Sequence, residues 1–208
     1  MKHIHTFFRS LPWRQILALF CATLVCTALW AEAEQGRLAD HVIRLHVLAN
    51  SDGQADQALK LQVRDQVLSQ TNQLLTGQES AQEAAAVLQA NLAPLAQVAA
   101  QTISARGYDY PVSVRLEETW FPTRQYENVS LPAGNYQALR VIIGEGAGKN
   151  WWCVVFPSLC MPAVTERSVQ TAGLSNQDYA LLTEDSQPYV IKFKAIEYWS
   201  SLKHFFGK

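Results

Sequence analysis

The densest run of residues able to do chemistry is "GEGAGKNWWC", in which Gly144, Gly146 and Gly148 lead into Lys149 and Asn150. Glycines ending in a lysine are what a phosphate cradle uses, because bare backbone N–H groups approach the anion and the ammonium neutralises it. Such a loop needs G-x-x-x-x-G-K-[ST]. Here Ile143 stands where the first glycine should be, and Asn150 stands where magnesium requires a hydroxyl. The cradle must also open a helix, whereas "WWCVVF" is rich in strand formers. A dinucleotide fingerprint fails similarly, so no nucleotide partner is expected. The glycines suit a turn between two strands, a β-hairpin, because they permit positive φ.

Other candidates are sparser. Acid–base chemistry would draw on His46 with Asp52 or Asp56, and a nucleophile could be Cys153. His46 lies inside an apolar run, where a structural histidine accounts for it. Asp56, Lys60 and Arg64 recur at i, i+4 and i+8, the spacing of an ion ladder along a helix. The chain has no serine elbow, no H-E-x-x-H and no persuasive carboxylate pair. Cys153 and Cys160 are too far apart in sequence for the usual zinc spacing and have no histidine nearby. The expectation is therefore no catalytic residue, no metal and no cofactor.

The whole chain, 208 residues with net charge -1, is long enough for one domain with a proper core. That charge hides an asymmetry: the first thirty residues carry Lys2, Arg9 and Arg14 and no acid, leaving 14 basic and 18 acidic residues beyond them. An acidic remainder argues against binding nucleic acid through phosphates. "MKHIHTFFRSLPWR" is a cationic lead to the apolar run "QILALFCATLVCTALWA", and Ala31-Glu32-Ala33 offers an A-x-A cleavage site. This is the order of a secretory signal, with an uncleaved signal anchor as the alternative. The expected division is a signal peptide or anchor over 1–33 and a single exported α+β domain over 34–208. Export leaves Cys153 and Cys160 as the two cysteines of that domain, a disulfide candidate. Two buried free thiols are the alternative.

The elements that must position these residues follow from periodicity. "HVIRLHVLAN" reads as a buried strand that stops at the turn "NSDGQ", where Ser51 with Gln54 resembles a capping box. Leu59, Val63 and Val67 give an amphipathic helix ending by Gly77. A second, alanine-rich helix starts at Ser80, breaks or kinks near Leu92 because of Pro94, and ends at Arg106-Gly107. Beyond Gly107 the period changes to two: "PVSVRLEE", "NYQALRVIIG" and "NWWCVVF" predict an antiparallel meander. "TWFPTRQYENVSLPAG" between the first two predicts an irregular loop. The tail becomes helical around Ile196, Trp199 and Leu202. Together these predict an α+β two-layer domain: a mainly antiparallel sheet on two long helices, with a C-terminal helix. On a strand, Trp151 and Trp152 must point to opposite faces. The outward one would anchor a protein interface or lie under the C-terminal helix.

Two long segments, "IRLHVLANSDGQADQALKLQVRDQVL" and "GNYQALRVIIGEGAGKNWWCVVFPSLC", closely resemble the stage II sporulation protein R family. Departures are mild: Gly53 stands where that family often has serine, and the middle is alanine-rich. The resemblance implies a protein of endospore formers, made in the forespore and exported into the space between its two membranes. There it would activate a membrane-embedded aspartic protease of the mother cell, which then processes the precursor of sigma factor E. It implies a ligand and not an enzyme, with transient membrane contact through the N-terminal segment. Candidate contacts are the Gly144–Asn150 loop, Trp151 or Trp152, and the Asp52–Asp56 turn. A secreted hydrolase of peptidoglycan or peptides and a structural envelope component are the competing classes.

Overall fold

The computed structural model describes residues 13–126 and 129–157. The expected C-terminal helix and Cys160 lie outside them. The first element, α1 (Trp13–Ala39), fuses the apolar run and the polar stretch after it into one unbroken helix. Next comes β1 (Ile43–Leu48), buried at every position but Leu48. Then follow α2 (Gln54–Leu74), α3 (Ala81–Ala90), α4 (Leu92–Ala105), β2 (Val112–Phe121), β3 (Arg124–Tyr126), β4 (Val129–Leu131), β5 (Gly134–Ile143) and β6 (Asn150–Phe156).

The helix boundaries have local causes. Ser80 caps α3 by accepting from the Glu83 N–H, while the Glu83 carboxylate accepts from Glu79 N. Pro94 falls in the first turn of α4, where its missing N–H costs nothing, so the break comes just upstream at Asn91. Past the end of α4, Gly107 takes φ 80°, and beyond α2, Gly77 takes φ 84°. The segment between β2 and β5, expected to be irregular, forms the small antiparallel ribbon β3–β4.

The four-stranded sheet has the order β2–β5–β1–β6. β1 runs parallel to β5 and antiparallel to β6, and β2 runs antiparallel to β5. This is an α+β domain with a mixed, mainly antiparallel sheet. The expected hairpin is corrected here: β5 and β6 are not neighbours, because β1 lies between them. The glycine segment is a crossover that spans two strand spacings, about 9–10 Å. A strand buried on both faces belongs in the middle of a sheet, and β1 is such a strand.

Alternation along β1 sends Ile43, Leu45 and Val47 to one face and Arg44 and His46 to the other. The first face meets the helices. Leu59, Val63 and Val67 of α2 and Leu95, Ala99 and Ile103 of α4 join Leu45, Val47, Leu139 and Val141 in one buried cluster. The second face holds a polar and aromatic set: Arg44 lies 4.1 Å over the Phe121 ring and 4.9 Å over Tyr136.

Candidate functional site

The turn after β1 and the crossover after β5 meet at the same end of the sheet and interlock. Gly148 N donates to Ala49 O at 2.9 Å and Ala147 N to Asn50 O at 3.2 Å. The Asn50 side chain accepts from Glu145 N at 3.1 Å, and Asp52 accepts from Lys149 N at 2.7 Å. The glycines are needed for this closeness. A Cβ on Gly148 would run into the Ser51 carbonyl, and one on Gly144, already at φ 57°, would strike the Asn50 amide. Gly146 takes φ 63° against Ile142. The backbone donors that a phosphate cradle would offer to an anion are here committed within the protein: those of Glu145, Ala147, Gly148 and Lys149 to the turn, that of Gly144 to Pro111 O and that of Gly146 to Ile143 O.

A buried carboxylate fixes the turn itself. Asp56, in the first turn of α2, accepts from Ser51 Oγ at 2.6 Å, Asn50 Nδ2 at 2.9 Å and Tyr110 OH at 3.2 Å. These bonds, Ser51 and Asn50 foremost, hold its pKa below the ordinary carboxylate value. Ser51 therefore does not cap α2: Gly53 occupies that position without a side-chain bond, and Ser51 Oγ is spent on Asp56. Lys60, one turn on, donates to Lys149 O at 2.8 Å and to Gln57 Oε1 at 2.7 Å. Burial lowers its pKa, partly offset by Asp52. The expected ion ladder is corrected accordingly. Asp56 and Lys60 are buried and tie α2 to the turn and the loop, while Arg64 pairs with its neighbour Asp65 at 2.6 Å.

The two tryptophans take opposite faces, as strand alternation demands. Trp151 pairs with Val47 on the helix side, and Arg64 of α2 stacks on its ring at 4.1 Å. It remains 36% exposed, and with Leu61 it makes up the exposed large apolar residues of the described chain beyond α1. Trp152 pairs with His46 and is half-buried beneath Arg124, whose guanidinium sits 4.3 Å over the ring.

His46 is packed between Phe121 and Trp152, with ring centroids 5.9 and 5.8 Å away. Its Nε2 lies 2.8 Å from Asn150 Oδ1, so Asn150 joins the end of the crossover to β1. Burial pushes the His46 pKa down, the Asn150 bond pulls it up, and Arg140 and Arg44 push it down further. Its hydrogen bond goes to Asn150, and Asp56 is engaged with other donors, so the structure builds no acid–base pair from them. Cys153 is disulfide-bonded and is not a free nucleophile, whereas Cys21 and Cys26 are free and exposed on α1. No cluster of three or more metal-ligating side chains occurs among the described residues. Sequence reasoning named Asp52, Asp56 and the glycines as candidate partner contacts, and the structure brings them together at one end of the sheet. It missed Asn50, Lys60 and Tyr110, and the only signal for Asn50 was its position at the end of a strand.

These features define a class: an α+β domain on an apolar N-terminal helix, bearing an interlocked turn and glycine crossover where a nucleotide enzyme would carry its phosphate loop. The chain belongs to the stage II sporulation protein R family, whose model matches residues 39–166. It is 38% identical over 134 residues to the protein named Stage II sporulation protein R of Bacillus subtilis (strain 168), a match covering 64% of this chain. The match spans 60% of that relative's length. No solved structure matches the chain. The α1 helix, with mean hydropathy 1.9 over its apolar window, fits a signal or anchor segment of a sporulation protein.

Proposed function

We propose that this chain is an exported sporulation signal: made in the forespore, delivered into the intermembrane space, and read there by a membrane-embedded aspartic protease that processes the sigma-E precursor. In this reading the domain is a ligand and carries out no chemistry itself. The chain would act by binding the active arrangement of the protease more tightly than the inactive one, since only differential affinity shifts such an equilibrium. The observation that carries the reading is the combination of family membership with one rigid, exposed aromatic beside the family's own loop. Trp151 is braced by Arg64 of α2, the helix that also carries the exposed Leu61, and an exposed tryptophan is the kind of group that anchors a small protein interface. A hydrolytic role has no support at its candidate residues, because Cys153 is in a disulfide and His46 is packed against aromatic rings.

The test is co-expression of the chain with the protease and the sigma-factor precursor, scored by precursor cleavage. Trp151→Ala is expected to reduce processing at least tenfold, as loss of an interface anchor costs about 2 kcal/mol or more. Its melting temperature should stay near that of the parent. Full processing by both Trp151→Ala and the double variant with Leu61→Ala, with the protein folded, would leave this surface with no role in activation.

A further inference from the structure

One unbroken helix has two different surfaces along its length. From Trp13 to Trp30 its large apolar side chains face outward: Trp13, Leu19, Phe20, Val25 and Leu29 are each more than half exposed. None of the apolar window is buried against the rest of the described chain. At 1.5 Å per residue this part rises about 27 Å, close to the ~30 Å hydrocarbon thickness of a bilayer. The last turns are built differently. Leu38 is 1% exposed and belongs to the domain core. Gln35 Nε2 donates to Asn135 O at 2.9 Å, and Gly134 lacks the Cβ that would collide with that amide. No loop separates the two parts, so the apolar stretch is joined directly to the folded domain.

The docking point lies at one particular end of the sheet. Asn135 is the second residue of β5, and β5 runs ten residues, about 30 Å, before Ile143 opens the glycine crossover. β1 runs parallel to β5, so the turn after Leu48 lies at that same far end. Trp151, opposite Val47, lies toward it as well.

We propose that the chain stands on a lipid bilayer through Trp13–Trp30, with the first residues of β5 next to the membrane. The glycine crossover then lies at the opposite end of β5 from the membrane-side residues. Apolar exposure on all sides, a length matched to the hydrocarbon core and a rigid junction all commit the occupant of α1 to lipid. A tethered domain of this orientation offers Trp151 and the crossover to a partner in an opposing membrane. That last use rests on the signalling reading, whereas the orientation does not.

The experiment uses the full chain with Cys21→Ala and Cys26→Ala, reconstituted in phosphatidylethanolamine–phosphatidylglycerol vesicles with an acceptor dye on the headgroups. A donor dye is placed either at Asp40→Cys, exposed beside the α1 junction, or at Glu145→Cys, exposed in the crossover. Energy transfer to the lipid is expected to be several-fold stronger from position 40 than from position 145. Equal transfer, or stronger transfer from position 145, overturns the orientation. So does failure of the full chain to sediment with the vesicles, or its recovery from cells with a new N-terminus near Glu34. No sigma-factor processing is read here, so failure of this test and failure of the signalling reading remain distinguishable.

Discussion

His46 shows how a polar residue is held inside a central strand. The ring touches Phe121 and Trp152, and its one hydrogen bond goes to Asn150. Nδ1 is buried with no hydrogen-bond partner among the described residues. A second proton would therefore place an N–H against no acceptor, in a field already set by Arg140 and Arg44, with Glu117 the one opposing charge. The folded pKa consequently lies below 6.5, and the sign of the linkage follows. A depressed folded pKa means that the contribution is complete above 6.5 and is lost as pH falls through the lower folded value. Thermal melting followed from neutral pH into the acid range should show the parent losing stability below about 6.5, the reference pKa of histidine. His46→Gln keeps a donor for Asn150 without a titrating proton, and its melting temperature should fall less over the same range. Parallel curves for the two proteins would mean that His46 does not contribute. Asp56 follows the same rule at lower pH, since hydrogen bonds from Ser51 and Asn50 depress its pKa in the fold.

At the scale of elements, the turn after β1 and the crossover after β5 act as one unit, and Gly148 sits where they approach most closely. Gly148→Ala must push the crossover off the Ser51 carbonyl, which is backbone and cannot swing aside. Overpacking of this kind costs about 1–3 kcal/mol, and chemical denaturation should find a loss of that size. Amide exchange in this variant should quicken at positions 147, 148 and 149, whose N–H groups are bonded to the turn in the parent. Gly53→Ser is the contrasting change. Gly53 has an ordinary backbone, φ -57° and ψ 142°, at the uncapped start of α2. Serine there supplies the missing cap and should raise stability by a few tenths of a kcal/mol. An unchanged or lower stability would show that Ser51 and the new hydroxyl compete for the same space, since a Cβ at 53 would lie 3.2 Å from Ser51 Oγ. Much of this unit was legible in the sequence: the strand from its apolar run, α2 from Leu59, Val63 and Val67, and the turn from "NSDG". What periodicity could not supply was pairing. A period of two says that "NYQALRVIIG" and "NWWCVVF" are strands, but it does not say which strand lies beside which. The short glycine link made a hairpin the simplest reading, yet the same link can step over one intervening strand. Lys60 was misread for a related reason, because i, i+4 spacing reports shared helix faces and not what covers them.

For the whole molecule, α1 is the place where the membrane-seeking part and the folded part meet, and a single kind of substitution separates the two roles. Leu38 is 1% exposed and packs in the core, whereas Leu29, on the same helix, is 62% exposed. Removing a buried leucine side chain loses its transfer free energy and leaves a cavity, about 2–5 kcal/mol in comparable cores. Leu38→Ala is therefore expected to lower domain stability by about 2–4 kcal/mol, the lower part of that span because the site lies near the edge of the core. Leu29→Ala should leave the unfolding transition of the domain where it is, since that side chain is exposed and lies outside the core. Its cost should appear in lipid instead, as weaker retention on vesicles by about the transfer free energy of the removed carbons, roughly 2 kcal/mol. The pair is measured by denaturant unfolding of the domain and by vesicle partition of the same two full-length proteins. If Leu29→Ala destabilised the domain as much as Leu38→Ala does, the apolar stretch would be packed against the fold and not presented to a membrane. If Leu38→Ala changed only the partition, the junction would be a hinge. The interlocked end would then have no fixed height above the lipid.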